Sequence, residues 1–230
     1  MEQWKRLELI INKKNILKIQ NTAVLVLGLG GVGSYAIESL VRSGIGKIVI
    51  VDNDIIDITN LNRQLMAMIS NIGMNKVDAF ENRIKDINPN CQIIKIREFI
   101  TKENIDILFN TNINYIVDAC DTIETKKELI RKCIKKNIKL ISVMGTGNKL
   151  NPSKLQIQDI RKTSYDPIAK ILRKMINDEQ IKEKVMVICS TEVPIVTNCK
   201  TIGSTSFVPA SAGLLCTSYI INDIVGEINE

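Results

Sequence analysis

The 230-residue chain is 45% hydrophobic and 24% charged, which supplies material for a substantial core and argues against wholesale disorder. It contains no histidine, which excludes Ser-His-Asp and Cys-His catalysis and histidine-based metal sites. The net charge is +6, and six scattered cysteines include no Cys-x-x-Cys pair to hold zinc. The N-terminus lacks a signal-peptide core and no apolar run approaches the ~20 residues of a membrane span, so a cytoplasmic protein without membrane contact is expected.

Residues 23–27 read as a buried strand, and 34–43 as a helix with Ala36, Ile37, Leu40 and Val41 on one face. Gly44 and Gly46 punctuate the turn into a second strand, Ile48 to Asp52. A helix from about Lys76 to Ile87 stops at Asn88-Pro89-Asn90. Strands are predicted near 93–97, 115–119 and 139–143, with a basic helix over 124–136 between the last two. Leu155 to Gln158 alternates like a strand, and Asp166-Pro167 opens a helix whose apolar face is Ile168, Ile171, Leu172, Met175 and Ile176. A strand-like Val185–Ile188, a loop through Lys200 and a helix from about Pro209 to Gly226 complete the chain. The alternation predicts an α/β fold, a doubly wound and mostly parallel Rossmann-like sheet with a C-terminal extension of strands and helices.

Gly28-Leu29-Gly30-Gly31-Val32-Gly33 lies between the first strand and its helix, where glycines let the backbone approach a polyphosphate at a helix N-terminus. Asp52, at the end of the second strand, is placed for ribose hydroxyls, so a nucleotide site outweighs a purely structural glycine turn. NAD is the default ligand of that pattern. Three features argue against it: the additional Gly31, a second carboxylate at Asp54 where Mg²⁺ is more natural than a hydride donor, and the cations Arg63 and Lys76 downstream. On charge alone, among 31 lysines and arginines, those two cations read first as solvated surface residues. Asp118 and Asp121 form a second carboxylate pair after the strand at 115; Asp121 reads either as a Mg²⁺ ligand or as the N-cap of the next helix.

Gly28–Gly33, Val51-Asp52-Asn53-Asp54, Asn60-Leu61-Asn62-Arg63-Gln64, Gly73 with Lys76, and Asp118-Ala119-Cys120-Asp121 resemble the ubiquitin-activating-enzyme-like, ThiF-type adenylyltransferases. Ile160 to Lys170 with Arg173, Ser190-Thr191-Glu192 and Gly203 to Pro209 are similar to its tRNA-dehydratase branch. The resemblance covers nearly the whole chain. It implies one adenylating domain over 1–230, with 1–150 as the nucleotide-binding half and 151–230 as the substrate and dimer half. The implied reaction is ATP-dependent cyclisation of threonylcarbamoyladenosine in tRNA through an acyl-adenylate. The alternative is adenylation of the C-terminus of a ubiquitin-like sulfur carrier, against which the missing cysteine pairs weigh.

Carried over residue by residue, the resemblance implies that Gly28, Gly30, Gly31 and Gly33 cradle ATP and that Asp52 binds its ribose beside Asp54. Asn60, Arg63 and Lys76, with Gln64, would meet the phosphates, and Asp121 would hold Mg²⁺. Arg63, Lys76 and Asp121 are thus the implied catalytic set, joined by Arg6 from the other subunit of a homodimer. A structural K⁺ or Na⁺ near the dimer interface is also in keeping with this group, and a sulfur-transfer or redox partner stays open. For the tRNA phosphates the basic surplus offers Lys149, Arg161, Lys162, Lys170, Arg173 and Lys174. Two departures stand out. Asn12 occupies a position where glycine is usual, and Cys199, near a cysteine of some dehydratases, reads as a nucleophile or as an unremarkable loop thiol.

Overall fold

The computed structural model describes residues 2–199 and 201–226; Lys200, where the predicted loop ends, lies outside them. Seven strands form one sheet: β1 (Ala23–Leu27), β2 (Lys47–Val51), β3 (Gln92–Ile96), β4 (Tyr115–Asp118), β5 (Lys139–Val143), β6 (Leu155–Asp159) and β7 (Met186–Ser190). Their spatial order is β3-β2-β1-β4-β5-β7-β6, parallel except for β6, which runs antiparallel to β7 at one edge. Every residue of β1 is buried, because crossover helices cover both faces of a parallel sheet and leave no room for alternation.

Helices α2 (Gly33–Arg42), α3 (Lys76–Ile87), α4 (Ile123–Lys136), α5 (Pro167–Asp178) and α6 (Phe207–Val225) follow the expected order. Asp166 caps α5, its Oδ1 accepting from the Ala169 N–H at 2.9 Å, as the Asp-Pro pair predicts. Ile171, expected on the apolar face of that helix, is 40% exposed; Ala169 is buried instead. α6 is long and apolar enough to cross a membrane by length and composition, yet it packs on α2 and buries Val208, Ala212, Cys216 and Ile220.

One helix has no counterpart in the sequence expectations: α1 (Lys5–Gln20). Leu9, Ile10 and Leu17 are exposed while Ile11, Ile16 and Ile19 are buried, so no one-sided stripe marks it. It is also broken at Asn12, whose φ of 62° lies in the left-handed region. With ψ at 165° this is a conformation that glycine adopts most readily, so asparagine sits under strain in the place usual for glycine. Its Oδ1 accepts from the Asn15 N–H at 3.1 Å and restarts the helix. Trp4 anchors the segment, donating from Nε1 to the Arg42 carbonyl at 3.1 Å.

Candidate active site

The sheet order reverses between β1 and β4, and connections leave that point in opposite directions, opening a crevice at the carboxyl ends of both strands. Gly28 adopts φ +89°, and a Cβ there would sit 2.7 Å from the Ala119 carbonyl oxygen. A Cβ on Gly33 would fall 1.8 Å from the Gly28 carbonyl oxygen, so α2 can start against the loop only with glycine at that position. Asp52 ties β2 to the loop: Oδ2 accepts from the Leu29 N–H at 2.6 Å and Oδ1 from the Asp54 N–H at 2.8 Å.

Above this turn lies a cavity of about 440 Å³, within the range of small-molecule sites. Gly28, Gly30, Gly31, Asp52, Asp54, Asn60, Arg63, Gln64, Lys76 and Asp121 all line it. Gly33 does not; it is buried beneath the loop, so its place in the site is steric.

Lys76, the first residue of α3, is 5% exposed and donates to Asp54 Oδ2 at 2.7 Å, with Asp52 Oδ2 at 3.7 Å. Asp54 is largely exposed and free to give up this partner, so an incoming phosphate can take the ammonium. Arg63 is held by neutral groups, the Thr59 carbonyl and Asn62 Oδ1, both at 2.9 Å. Its charge is therefore available to an anion. The preceding turn is fixed by a capping box in which Asp57 accepts from the Thr59 N–H and Asn60 Oδ1 accepts from the Asp57 N–H.

The two carboxylates after β4 part company. Asp118 is fully buried and accepts from Lys126 Nζ at 2.9 Å, Ser142 Oγ at 2.5 Å and the Cys120 N–H at 3.2 Å. It is structural. Asp121 is exposed into the cavity, and Thr122, not Asp121, stands at the N-cap of α4. Among the described residues no three His, Cys, Asp or Glu side chains gather as a metal cage. A single free carboxylate beside a phosphate site still suits Mg²⁺, which takes one or two carboxylates and completes its shell with phosphate oxygens and water.

A second cavity, of about 850 Å³, adjoins the first. Gly30, Gly31, Arg63, Ala119, Cys120 and Asp121 line both. Its far walls are Val143–Gly147 after β5, Ile168 at the start of α5, and Thr201–Ser204.

The other sequence candidates divide. Lys149 is not a surface cation: it is 2% exposed, donates to the Gly145 carbonyl at 2.6 Å and lies 3.7 Å from buried Asp166. Arg161 binds Asp159 at 3.0 Å and the Ile181 carbonyl at 2.5 Å, and Arg173 donates to the Thr163 carbonyl at 2.9 Å. Lys162, Lys170 and Lys174 are exposed. Arg6 is exposed on α1 and lies outside both cavities. Cys199 is exposed and lines neither cavity; the Thr201 N–H on its sulfur holds the thiol below the usual value. Cys120 does line both, but burial and the Asp118 charge push its thiol well above the usual value, leaving it protonated.

Phe99, Ile100, Glu98 and Thr125 also line the first cavity and had not been expected there. The half-exposed Phe99 ring gives the rim an apolar face suited to a base. One signal pointed to this stretch: it directly follows β3, and ligands sit beyond strand carboxyl ends in this architecture.

The ThiF family model matches residues 3–228. The tRNA threonylcarbamoyladenosine dehydratase of Bacillus subtilis (strain 168) is 43% identical over 245 aligned residues, covering 99% of this chain and 96% of its own. The crystal structure of the E. coli tRNA N6-threonylcarbamoyladenosine dehydratase, TcdA, in complex with ATP matches with a TM-score of 0.91 at 30% identity, over 97% of this chain and 93% of that one. The complex of the same protein with AMP matches with a TM-score of 0.91 over 97% and 94%.

Proposed function

This chain belongs to the ThiF family, and from that premise we propose that it is an ATP-dependent enzyme that dehydrates N6-threonylcarbamoyladenosine in tRNA. The observation that carries the proposal is the shared wall. Gly30, Gly31, Arg63 and Asp121 face both the 440 Å³ and the 850 Å³ cavities, so a nucleotide α-phosphate and an acceptor carboxylate can meet between them.

ATP occupies the first cavity, its base toward Phe99 and its ribose toward Asp52, with Lys76 leaving Asp54 for the phosphates. The threonyl carboxylate of the modified adenosine, in the second cavity, attacks the α-phosphorus and displaces pyrophosphate. A ureido nitrogen of the same group then attacks the activated carbonyl and expels AMP, closing the ring. That closure is intramolecular and gains from proximity, so it asks for no enzyme nucleophile. A chain without histidine, whose Cys120 thiol is held protonated, fits such a reaction. Arg63 and Lys76 offset the charge that develops on the phosphates. Mg²⁺ bound with ATP supplies further charge neutralisation, and Asp121 is the residue to hold it. A monovalent cation would need backbone carbonyl ligands in the main.

The tRNA approaches over the exposed cations Lys162, just before α5, and Lys170 and Lys174 on α5. Binding through such contacts weakens with salt. A cytoplasmic setting follows from this substrate. The protein acts as a homodimer, and Arg6, exposed and away from its own cavity, enters the site of the partner subunit.

The test is AMP release from labelled ATP by the purified protein. Release is expected only with tRNA bearing threonylcarbamoyladenosine, and Lys76→Ala is expected to abolish it while the fold survives. Equal release with unmodified tRNA, or with none, would overturn the proposal.

A further inference from the structure

The Thr201–Ser204 wall of the second cavity belongs to no helix or strand, so whatever fixes it must come from outside the segment. Two asparagines distant in the chain do so. Asn62, beside Arg63, donates from Nδ2 to the Ser204 carbonyl at 3.0 Å. Asn148 does more. Its N–H donates to the Gly203 carbonyl at 2.8 Å, and its Oδ1 accepts from the Gly203 N–H at 2.7 Å. Its carbonyl accepts from the Ile195 N–H at 2.7 Å. This reach is available because Asn148 adopts φ 55°, a conformation asparagine tolerates better than most side chains. The approach is close: a Cβ on Gly147 would lie 2.2 Å from Ile202 Cγ2.

We infer that Asn148 is a positioning residue for the acceptor: by pairing with both polar groups of Gly203 it sets the width of the cavity that receives the modified adenosine. Asn148 lines neither cavity, so it acts on substrate only through the wall it holds. The inference rests on the adenylation proposal for the identity of the acceptor, not for the existence of the latch.

Two substitutions in the full chain separate the parts. Asn148→Gly keeps the left-handed backbone and the Ile195 bond but removes Oδ1; Asn148→Asp keeps an acceptor oxygen there. In Asn148→Gly the KM for modified tRNA is expected to rise roughly tenfold, the worth of one hydrogen bond, with kcat and ATP affinity held to within about twofold. The Gly203 amide should also exchange faster with deuterium. Asn148→Asp should restore both readouts. An unchanged KM in Asn148→Gly overturns the inference, as does a parallel loss of ATP affinity, which would mean general loosening. If the native protein releases no AMP with modified tRNA, the adenylation proposal falls. Gly203 exchange then decides the latch alone, and an unchanged rate in Asn148→Gly refutes it.

Discussion

Lys126→Met tests the support beneath the site. Lys126 is 1% exposed and Asp118 0% exposed, 2.9 Å apart at the carboxyl end of β4, with Ser142 Oγ and the Val143 carbonyl completing the ammonium's shell. Methionine nearly preserves the volume but leaves a carboxylate buried without its cation. Breaking such a pair from one side costs roughly 3–5 kcal/mol. For a chain of this size about 1 kcal/mol moves the melting temperature by roughly 2–4 °C, so the expected loss is on the order of 6–20 °C. Urea unfolding followed by far-ultraviolet circular dichroism measures the same quantity at equilibrium. Replacing both partners, with Asp118→Asn and Lys126→Met together, should recover much of the loss because no unpaired charge remains. A single-variant loss below about 1 kcal/mol would refute the reasoning, since it would place the pair among weak, solvated ion pairs. Burial is the largest single influence and works to lower the Lys126 pKa, but the Asp118 charge and hydrogen bond, together with the charges of Cys120 and Asp121, outweigh it and hold the ammonium above the usual lysine value. A raised folded value means this stabilisation is full below about pH 10.4 and lost as pH rises through the folded value.

Gly33→Ala should abolish nucleotide binding, because its Cβ would fall 1.8 Å from the Gly28 carbonyl and displace the loop or α2; near-native ATP affinity by calorimetry would contradict the steric account. Stability should also fall on alkalisation. Burial raises the thiols of Cys91 and Cys133 to about 12 and that of Cys189 to about 11. The unfolded thiols ionise near pH 8.5 while the folded ones stay protonated, so each raised thiol removes up to about 1.4 kcal/mol per pH unit above that point. A urea midpoint that stays flat between about pH 8 and 10 would show that these thiols are solvated.

The sequence alone determined a mostly parallel sheet, the chain order of its strands and of helices α2 to α6, and the face on which a nucleotide sits. Those follow from short-range physics. A run such as Ala23–Leu27 is apolar throughout because both faces of a parallel strand are covered, and Gly28–Gly33 is glycine-rich because backbone must pass close to backbone within one turn. Asp54, Arg63, Lys76 and Asp121 were legible as a set only through the family resemblance, since charge alone reads the two cations as surface residues; the fold brings all four to one cavity.

What the tertiary structure decided was which charges are free. Lys149 reads as an exposed cation in the sequence but is enclosed by Gly145 and Asp166, while Arg161 stays exposed with its charge paired to Asp159. Asp118 and Asp121 are three positions apart and identical in type, yet Lys126 and Ser142 claim only the first. Helix α1 escaped notice because its apolar residues face outward as well as inward, and the Asn148 latch because its partner lies 55 residues away. A side chain's role depends on its partners, and partners distant in the chain leave no periodicity or spacing in the sequence.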